Sequence, residues 1–380
     1  MRGKFLKSVV AFICVITSGL CVFPDSALAN TANVPNGVNA GSETNVTEKV
    51  KPMKRAIINI DNEKVKEFYD NDYSYIENFI GHGEQIAQKP VKLEWNMGSA
   101  AYYEVSVSDN LTFRNADKYI CLENTLELND LKPRQNYYWK VKATYDDGSY
   151  KASETYSFKT EGHVRAIPVD GVSNFRDLGG SVTSDGKTLK YGMLFRSGKG
   201  EDITAKGKET IKRLGIKTDL DLRGPAEAGL VSPFGEEITV IAISGAYYAN
   251  SVFETSINGS EKYRNAFRDE LKTCADESNY PMLFHCSLGR DRTGTLAFIL
   301  EALCGVAEDT LIRNHMLSFL SVEGQRDSAA VQAVLANVRG IYSFINSQSG
   351  KTFAEKTENF VKQIGVTQEE IVSIRSILLG

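Results

Sequence analysis

The chain contains the stretch Pro281-Met-Leu-Phe-His285-Cys286-Ser-Leu-Gly-Arg290-Asp291-Arg292-Thr293-Gly294. Its beginning is short and apolar, as in a buried strand, and the residues after it are apolar over the length of a buried helix. Between these elements, Cys286 is the first residue of a tight loop and Arg292 is the last. The pattern predicts a buried strand, a loop and a buried helix in direct succession.

A loop that curls into a helix N-terminus points backbone N–H groups inward and adds the positive end of the helix dipole, so it suits an anion such as phosphate. The same field lowers the pKa of a cysteine at the base of the loop, which makes Cys286 a candidate nucleophile. Arg292 supplies a planar fork for two phosphate oxygens. The other candidate substrate-binding residues are His285, Ser287, Leu288, Gly289, Arg290, Asp291 and Thr293.

The spacing Cys-x5-Arg, with His285 before it and Thr293 after it, resembles the active-site signature of the cysteine-dependent protein phosphatases. The longer string His-Cys-x-x-Gly-x-Asp-Arg-Thr-Gly is similar to the bacterial tyrosine and dual-specificity phosphatases that also act on phosphoinositides. In that branch a lysine usually precedes the loop aspartate. This chain has Arg290, which keeps the charge but replaces a point charge by a planar fork. Segments 174–180, 194–198 and 221–223 resemble further motifs of the same branch.

The resemblance implies metal-independent hydrolysis of phosphomonoesters through a cysteinyl-phosphate intermediate, without a cofactor. It assigns the general acid to Asp221, which matches the aspartate of the family's Asp-Leu-Arg motif. Two alternatives stay open: Asp221 only pairs with Arg223 at a strand end, or Asp291 in the loop is the acid. The sequence has no Gly-x-Ser-x-Gly or Gly-x4-Gly-Lys-Ser/Thr motif, and its four histidines are scattered rather than clustered as metal ligands.

The expected activity is that of a protein-tyrosine or dual-specificity phosphatase, which acts on phosphoproteins, and the alternative substrate is a phosphoinositide or a soluble inositol phosphate. A different class is a non-catalytic phosphate-binding or adhesion protein, although a binder has no need of a thiolate. A sulfur-transfer or arsenate-reducing enzyme would share a thiolate loop but has no use for the full Asp-Arg-Thr-Gly string. The net charge of −4 gives no general attraction to nucleic acid.

The N-terminus predicts export. Three basic residues before position 8 precede an uncharged run over 8–23, and Ala27-Leu28-Ala29 has the small-residue pattern of a cleavage site. Residues 1–29 are therefore predicted to be a signal peptide, with a retained anchor as the alternative. The apolar run is shorter than the roughly 20 residues of a membrane helix, so no stable membrane span is expected after cleavage. The protein is expected to be secreted or associated with the cell surface.

The rest of the chain is predicted to form a linker and two domains. Residues 30–55 are predicted to be a flexible linker. Residues 56–161 are predicted to contain a small all-β sandwich, with its core at about 90–160, because short runs there alternate with period two. Leu131-x-Pro133-x-x-x-Tyr137 resembles a segment of fibronectin type III modules, which serve as spacers or dock a protein or surface partner. Residues 162–380 are predicted to be an α/β phosphatase domain with a central, largely parallel sheet.

Several side chains outside the loop also carry expectations. Arg176 and Asp177 are expected to pair beside the Gly179-Gly180 turn, and Arg196 to form a structural ion pair. His315 is expected to pack or to be solvated. The four cysteines left after export are too scattered for a disulfide framework, and separate thiols are favoured over a redox bridge between Cys274 and Cys286.

Overall fold

The computed structural model describes residues 56–71, 84–245, 258–322 and 328–380. The predicted signal peptide and linker lie outside these ranges. The described chain forms two compact units. The β unit contains residues 56–57, 92–128 and 136–159, and the α/β unit contains residues 58–91, 129–135 and 160–380. This division differs from the predicted domain boundary, because 58–91 and 129–135 belong to the α/β unit.

The β unit is built from short strands, as the alternating pattern predicts. Strand β6 (Asn136–Thr144) shows why: its buried and exposed residues alternate, so that Tyr137, Trp139, Val141 and Ala143 face the interior. The other strands are β1 (Ala56–Asn59), β2 (Val91–Glu94), β3 (Tyr102–Ser108), β4 (Asp117–Cys121), β5 (Thr125–Leu128), β7 (Tyr150–Ala152) and β8 (Tyr156–Glu161). One sheet has the order β1-β8-β6-β3-β4 with β7 beside β6, and β2 pairs with β5 in a second sheet.

The α/β unit has a five-stranded sheet in the order β12-β11-β13-β10-β9. These strands are β9 (Arg176–Asp177), β10 (Leu194–Ser197), β11 (Thr218–Asp221), β12 (Thr239–Ala242) and β13 (Met282–His285). Strands β10, β11, β12 and β13 run parallel, and only β9 is antiparallel to its neighbour. This confirms the predicted mixed α/β fold. Strand β13, at the centre, is buried over its whole length.

Eight α-helices are described. They are α1 (Glu63–Asp70), α2 (Ala205–Leu214), α3 (Glu261–Ala275), α4 (Asp291–Leu303), α5 (Glu308–Met316), α6 (Ser328–Asn346), α7 (Phe353–Gln363) and α8 (Gln368–Leu378). Helix α2 has Thr204 as its N-cap, and Gly215 follows its last residue with a left-handed backbone conformation. A capping box of Thr367 and Glu370 opens α8. None of the described helices is both long and apolar enough to cross a membrane.

Helix α4 is the centre of the hydrophobic core of the α/β unit. Every residue from Thr293 to Leu303 is buried, so the helix has no polar face. Val65 and Phe68 of α1 belong to the same apolar cluster as Leu296 and Leu300 of α4. Burial of these two side chains against the α/β core explains why the segment before the β unit packs with the α/β unit.

Candidate active site

The loop that begins at Cys286 lies at the carboxyl end of the parallel sheet. Strand β13 ends at His285, and its neighbours end at the same level, because Ser197 of β10 and Asp221 of β11 are both in register with His285. Helix α4 starts at Asp291, directly after the loop. The carboxyl edge of a parallel sheet is where ligands bind in α/β folds, so the topology places the loop at a binding edge.

Three consecutive loop carbonyls are bound from outside the loop. The backbone N–H of Lys199 donates to the Ser287 carbonyl at 3.2 Å. The side chain of Asn174 donates from Nδ2 to the carbonyls of Leu288 at 3.1 Å and Gly289 at 3.0 Å. In a trans peptide the N–H points opposite to the carbonyl. The N–H groups that follow these carbonyls therefore point away from the donors and toward the inside of the loop.

Gly289 is required at the tightest point of this arrangement. Its φ of +65° lies in the left-handed region, and a Cβ there would be 2.3 Å from the carbonyl oxygen of Ser197. Any side chain at this position would separate the loop from the end of β10. The glycine therefore permits the close approach of the loop to the sheet.

Cys286 is buried at the base of the loop, with 3% of its surface exposed. Burial by itself would raise the pKa of its thiol. The Thr293 hydroxyl and amide, the Arg292 guanidinium and the Leu288 amide outweigh that effect, so the pKa of Cys286 lies below its usual value. The Thr293 hydroxyl oxygen has no aligned hydrogen bond to any other described group, which leaves it available to the sulfur. The surroundings of Cys286 therefore favour the thiolate, the form that acts as a nucleophile.

Arg292 extends over the loop from the first turn of α4. Its Nη2 donates to the hydroxyl of Ser287 at 3.2 Å, and its Nη1 donates to the carbonyl of Leu222 at 3.4 Å. The carboxylate of Glu227 approaches Nη1 at 3.9 Å. These contacts hold the guanidinium beside the loop, and its charge acts on Cys286, so it is placed to bind phosphate oxygens.

His285 is fully buried between two carboxylates. Its Nε2 lies 3.0 Å from Asp219 Oδ1 and 3.8 Å from Asp221 Oδ2, without the alignment of a hydrogen bond to Asp219. Burial would lower its pKa, but the two carboxylates outweigh this effect and raise it. The Nδ1 lies 3.2 Å from the carbonyl of Cys286. A protonated His285 donates to that carbonyl and so orients the first peptide of the loop.

The surroundings of Asp221 oppose its predicted role as the acid. Its carboxylate accepts from Arg223 Nε at 3.0 Å, Arg223 Nη2 at 2.8 Å and the Arg223 amide at 2.9 Å. Burial would raise its pKa, but the bonds from Arg223 and the charge of His285 hold the pKa below the usual value. A general acid needs a proton to give at neutral pH. The geometry shows the pairing of Asp221 with Arg223 that the alternative describes, and the identity of the general acid stays a prediction.

Asp291 occupies a different position, as the first residue of α4. Its carboxylate pairs with Arg290, Nη2 to Oδ2, at 3.1 Å. The side chain is 18% exposed, whereas that of Asp221 is 3% exposed. The loop aspartate is therefore the more accessible of the two carboxyls, and it lies between the two arginines of the loop.

Two residues that hold the loop were not recognised as such from the sequence. Asn174 is fully buried, and its positive φ of 57° lets its side-chain amide face the loop. Arg196 donates from Nη2 to the Gly289 carbonyl at 2.8 Å, so its hydrogen bond to the loop replaces the expected structural ion pair. Both side chains act on loop carbonyls that are more than 90 residues away. The only sequence signal was their place in motifs that resemble the phosphatases.

The remaining expectations are settled by direct contacts. Asp177 pairs with Arg165 at 2.9 Å and not with Arg176, whose guanidinium bonds to Asn174 and Ser318. His315 is buried, and burial lowers its pKa to about 3, so it is a neutral packing residue. The four described cysteines are all free. Within the described ranges, no group of three or more His, Cys, Asp or Glu side chains is arranged to hold a metal ion.

Comparison with known proteins agrees with this geometry. The tyrosine phosphatase family matches residues 167–380, which include β9 to β13 and α2 to α8. A candidate tyrosine-protein phosphatase of Cupriavidus necator is 30% identical over 195 residues, which are 46% of this chain and 69% of that protein. The triple specificity protein phosphatase PtpB of Mycobacterium tuberculosis is 24% identical over 281 residues, 57% of this chain and 99% of that protein.

Among solved structures, the core catalytic domain of the PP-IP phosphatase SIW14 from S. cerevisiae is similar at 17% identity and a TM-score of 0.27, covering 48% of this chain and 96% of that one.

The family match extends over more than half of the chain and includes the whole loop from Cys286 to Arg292. The chain therefore belongs to the tyrosine phosphatase family and is a protein-tyrosine-phosphatase-like phosphoric monoester hydrolase.

Proposed function

We propose that this enzyme hydrolyses phosphomonoesters in two steps through a cysteinyl-phosphate intermediate, without a metal ion. The observation that carries the proposal is the position of Cys286, a buried cysteine with a lowered thiol pKa at the base of a loop whose amides point inward. A ring of amide donors around a thiolate has an evident use in binding the phosphoryl group that the thiolate attacks.

In the first step, the Cys286 sulfur forms a bond to phosphorus while the bond from phosphorus to the ester oxygen breaks. The loop amides and the Arg292 guanidinium stabilise the negative charge on the three equatorial oxygens. In the second step, a water oxygen bonds to phosphorus, the S–P bond breaks, and the thiolate is regenerated. The Thr293 hydroxyl stabilises that thiolate as it leaves.

We propose Asp291, not Asp221, as the group that protonates the leaving oxygen and later takes a proton from water. Asp291 is partly exposed on the loop and has one ion pair, to Arg290. Asp221 is buried and accepts bonds from both the side chain and the amide of Arg223. A carboxyl that must exchange protons with substrate and water has to be accessible to both.

The proposed substrate is a phosphoprotein, as for a protein-tyrosine or dual-specificity phosphatase. Two of the relatives carry the names tyrosine-protein phosphatase and triple specificity protein phosphatase, which supports a protein substrate. Phosphoinositides and soluble inositol phosphates remain the second candidate. The ion pair between Arg290 and Asp291 favours the phosphoprotein, because the arginine is not presented as a free cationic site for a further phosphate group.

The proposal includes export and an accessory role for the β unit. The basic and apolar N-terminal residues support a secreted or surface-associated enzyme. The strands of the β unit support a module similar to fibronectin type III, acting as a spacer or docking a partner. N-terminal sequencing of protein collected from the culture medium tests export, and recovery of an unprocessed chain from the cell interior would contradict it.

The activity is tested by the turnover of p-nitrophenyl phosphate in the presence of a chelator. We expect the wild-type chain to be active and Cys286→Ser to be inactive. The matched control is Cys121→Ser, which removes a buried thiol of the β unit. Turnover that survives Cys286→Ser, or that requires a metal, would refute the mechanism. Phosphate binding without turnover by the wild type would favour the non-catalytic alternative.

A further inference from the structure

Glu301 is a buried carboxyl group behind the loop that the proposed mechanism does not use. It lies on α4, and only 2% of its surface is exposed. Its Oε1 accepts hydrogen bonds from the Ser181 hydroxyl at 2.9 Å and from Asn314 Nδ2 at 2.6 Å. Burial of a carboxyl group in an apolar helix costs free energy unless hydrogen bonds or opposite charges stabilise it.

A continuous series of hydrogen bonds connects this carboxyl to the loop. The backbone carbonyl of Asn314 accepts from Arg176 Nη2 at 3.1 Å. The Nη1 of Arg176 donates to the side-chain oxygen of Asn174. The amide nitrogen of Asn174 in turn donates to the loop carbonyls of Leu288 and Gly289. Glu301 therefore lies at one end of a buried polar network whose other end is the phosphate-binding loop.

The charges in this network are unbalanced without Glu301. Arg176 and Arg196 are both buried. Burial lowers the pKa of each guanidinium, and the charge of Arg196 lowers that of Arg176 further. The negative charge of Glu301 acts on both arginines, and Glu84 acts on Arg176 as well. Arg196 is also coupled to the Cys286 thiolate. The charge on Glu301 thus bears on the same arginine that supports the loop and the nucleophile.

We propose that Glu301 is a positioning residue of the phosphate site, whose carboxylate offsets the charges of Arg176 and Arg196 and thereby sets how strongly the loop holds an oxyanion. The inference rests on the proposed phosphate site at Cys286. Ionised Glu301 weakens the positive potential behind the loop, and protonation of Glu301 removes this part of the compensation of the two arginines. Oxyanion affinity therefore depends on a carboxyl that never contacts the ligand.

Glu301 titrates in a range where this effect can be observed. Burial raises its pKa to about 7, against the opposing effects of Ser181, Asn314, Arg196 and Arg176. Tyr69 from α1 and Cys304 on α4 also interact with it, and burial keeps both neutral by raising their pKa values. Glu301 is therefore mostly neutral at pH 5.5 and mostly ionised at pH 8.5.

The test compares the binding of inorganic phosphate to the wild type and Glu301→Gln by calorimetry at pH 5.5 and pH 8.5. At pH 8.5 the amide variant should bind about fivefold more tightly, because one buried negative charge is removed. At pH 5.5 the two proteins should bind equally. The protonation of phosphate itself cancels in the ratio of the variant's affinity to that of the wild type at the same pH. Glu308→Gln, an exposed position on α5, is the matched control and should bind phosphate as tightly as the wild type at both pH values.

A second variant keeps the proposal testable if Glu301→Gln does not fold. Ser181→Ala removes a hydrogen bond that lowers the pKa of Glu301, so the pH at which phosphate affinity changes should move upward. A variant-to-wild-type ratio that is the same at both pH values, or weaker binding by Glu301→Gln at pH 8.5, would overturn the proposal. Binding is measured without turnover. Absence of phosphate binding by the wild type would instead remove the proposed site itself.

Discussion

Arg196 Nη2 donates a hydrogen bond of 2.8 Å to the carbonyl oxygen of Gly289, so an arginine at the end of β10 holds the outer face of the loop. The guanidinium is almost completely buried, and burial lowers its pKa to about 10. It remains charged at neutral pH. A charged donor on this carbonyl polarises the peptide whose N–H, on the other side, faces the phosphate site.

Arg196→Lys should lower kcat/KM for p-nitrophenyl phosphate by roughly 10- to 100-fold, because an ammonium group lacks the reach and geometry of the guanidinium fork. The midpoint of thermal unfolding should change little. Steady-state kinetics and calorimetry measure both quantities. Arg213→Lys, on α2 and paired with Asp130, is the control and should keep full activity. Unchanged kcat/KM in Arg196→Lys would show that the bond to Gly289 does not matter for the loop.

Thr293→Val should raise the pKa of the Cys286 thiol, since the Thr293 hydroxyl, which valine lacks, is among the groups that lower it. The rate of alkylation by iodoacetamide, measured against pH, reports the thiolate. Its inflection should move upward, and the rate below the inflection should fall accordingly. Thr295→Val on the same helix removes a hydroxyl that donates to the Asp291 carbonyl, and should leave the profile in place.

Asp291→Asn and Asp221→Asn should differ in their dependence on the leaving group. Loss of the acid should lower the rate of hydrolysis roughly 100-fold for an alkyl phosphate, whose leaving oxygen needs a proton. The loss should be much smaller for p-nitrophenyl phosphate. We expect this dependence for Asp291→Asn. Asp221→Asn should slow both substrates by the same factor, because it disturbs the pair with Arg223. A leaving-group dependence confined to Asp221→Asn would restore the assignment made from the sequence.

The stability of the fold should depend on pH through Glu301. Its folded-state pKa of about 7 lies above the ordinary value of 4.5, so the folded protein holds a proton that the unfolded chain releases between these values. The stabilisation is complete below pH 4.5 and is lost as the pH rises through 7. The unfolding free energy of the wild type relative to Glu301→Gln should therefore fall by on the order of 3 kcal/mol over this range. Denaturant titrations at several pH values measure it, and a constant difference would contradict the shift.

The sequence predicts the chemistry of the loop better than the groups that support it. Cys286 and Arg292 were assigned because a thiolate and a guanidinium at this spacing fit a helix N-terminus. The parallel sheet was predicted because apolar strands alternate with helices, and the structure confirms it. Both assignments depend on local patterns that a chain carries in consecutive residues.

The support from Asn174 and Arg196 depends on contacts that no local pattern contains. The positive φ of Asn174 and the outward direction of the loop carbonyls exist only in the folded chain. The choice between Asp221 and Asp291 is similar, because it rests on which carboxylate Arg223 reaches. The boundary near residue 58 also depended on the burial of Val65 and Phe68 against a core formed by distant residues.

The hydrogen bonds to the loop carbonyls make the phosphate site a product of the complete fold. Their donors are separated from the loop by 114 residues for Asn174 and by 93 for Arg196. Contacts of such separation form only after the intervening chain has closed a large loop. A fragment that carries only β13, the loop and α4 would retain the nucleophile and the arginine without the donors that orient the amides. Oxyanion binding therefore reports that the sheet has assembled, which makes it a direct assay for correctly refolded protein.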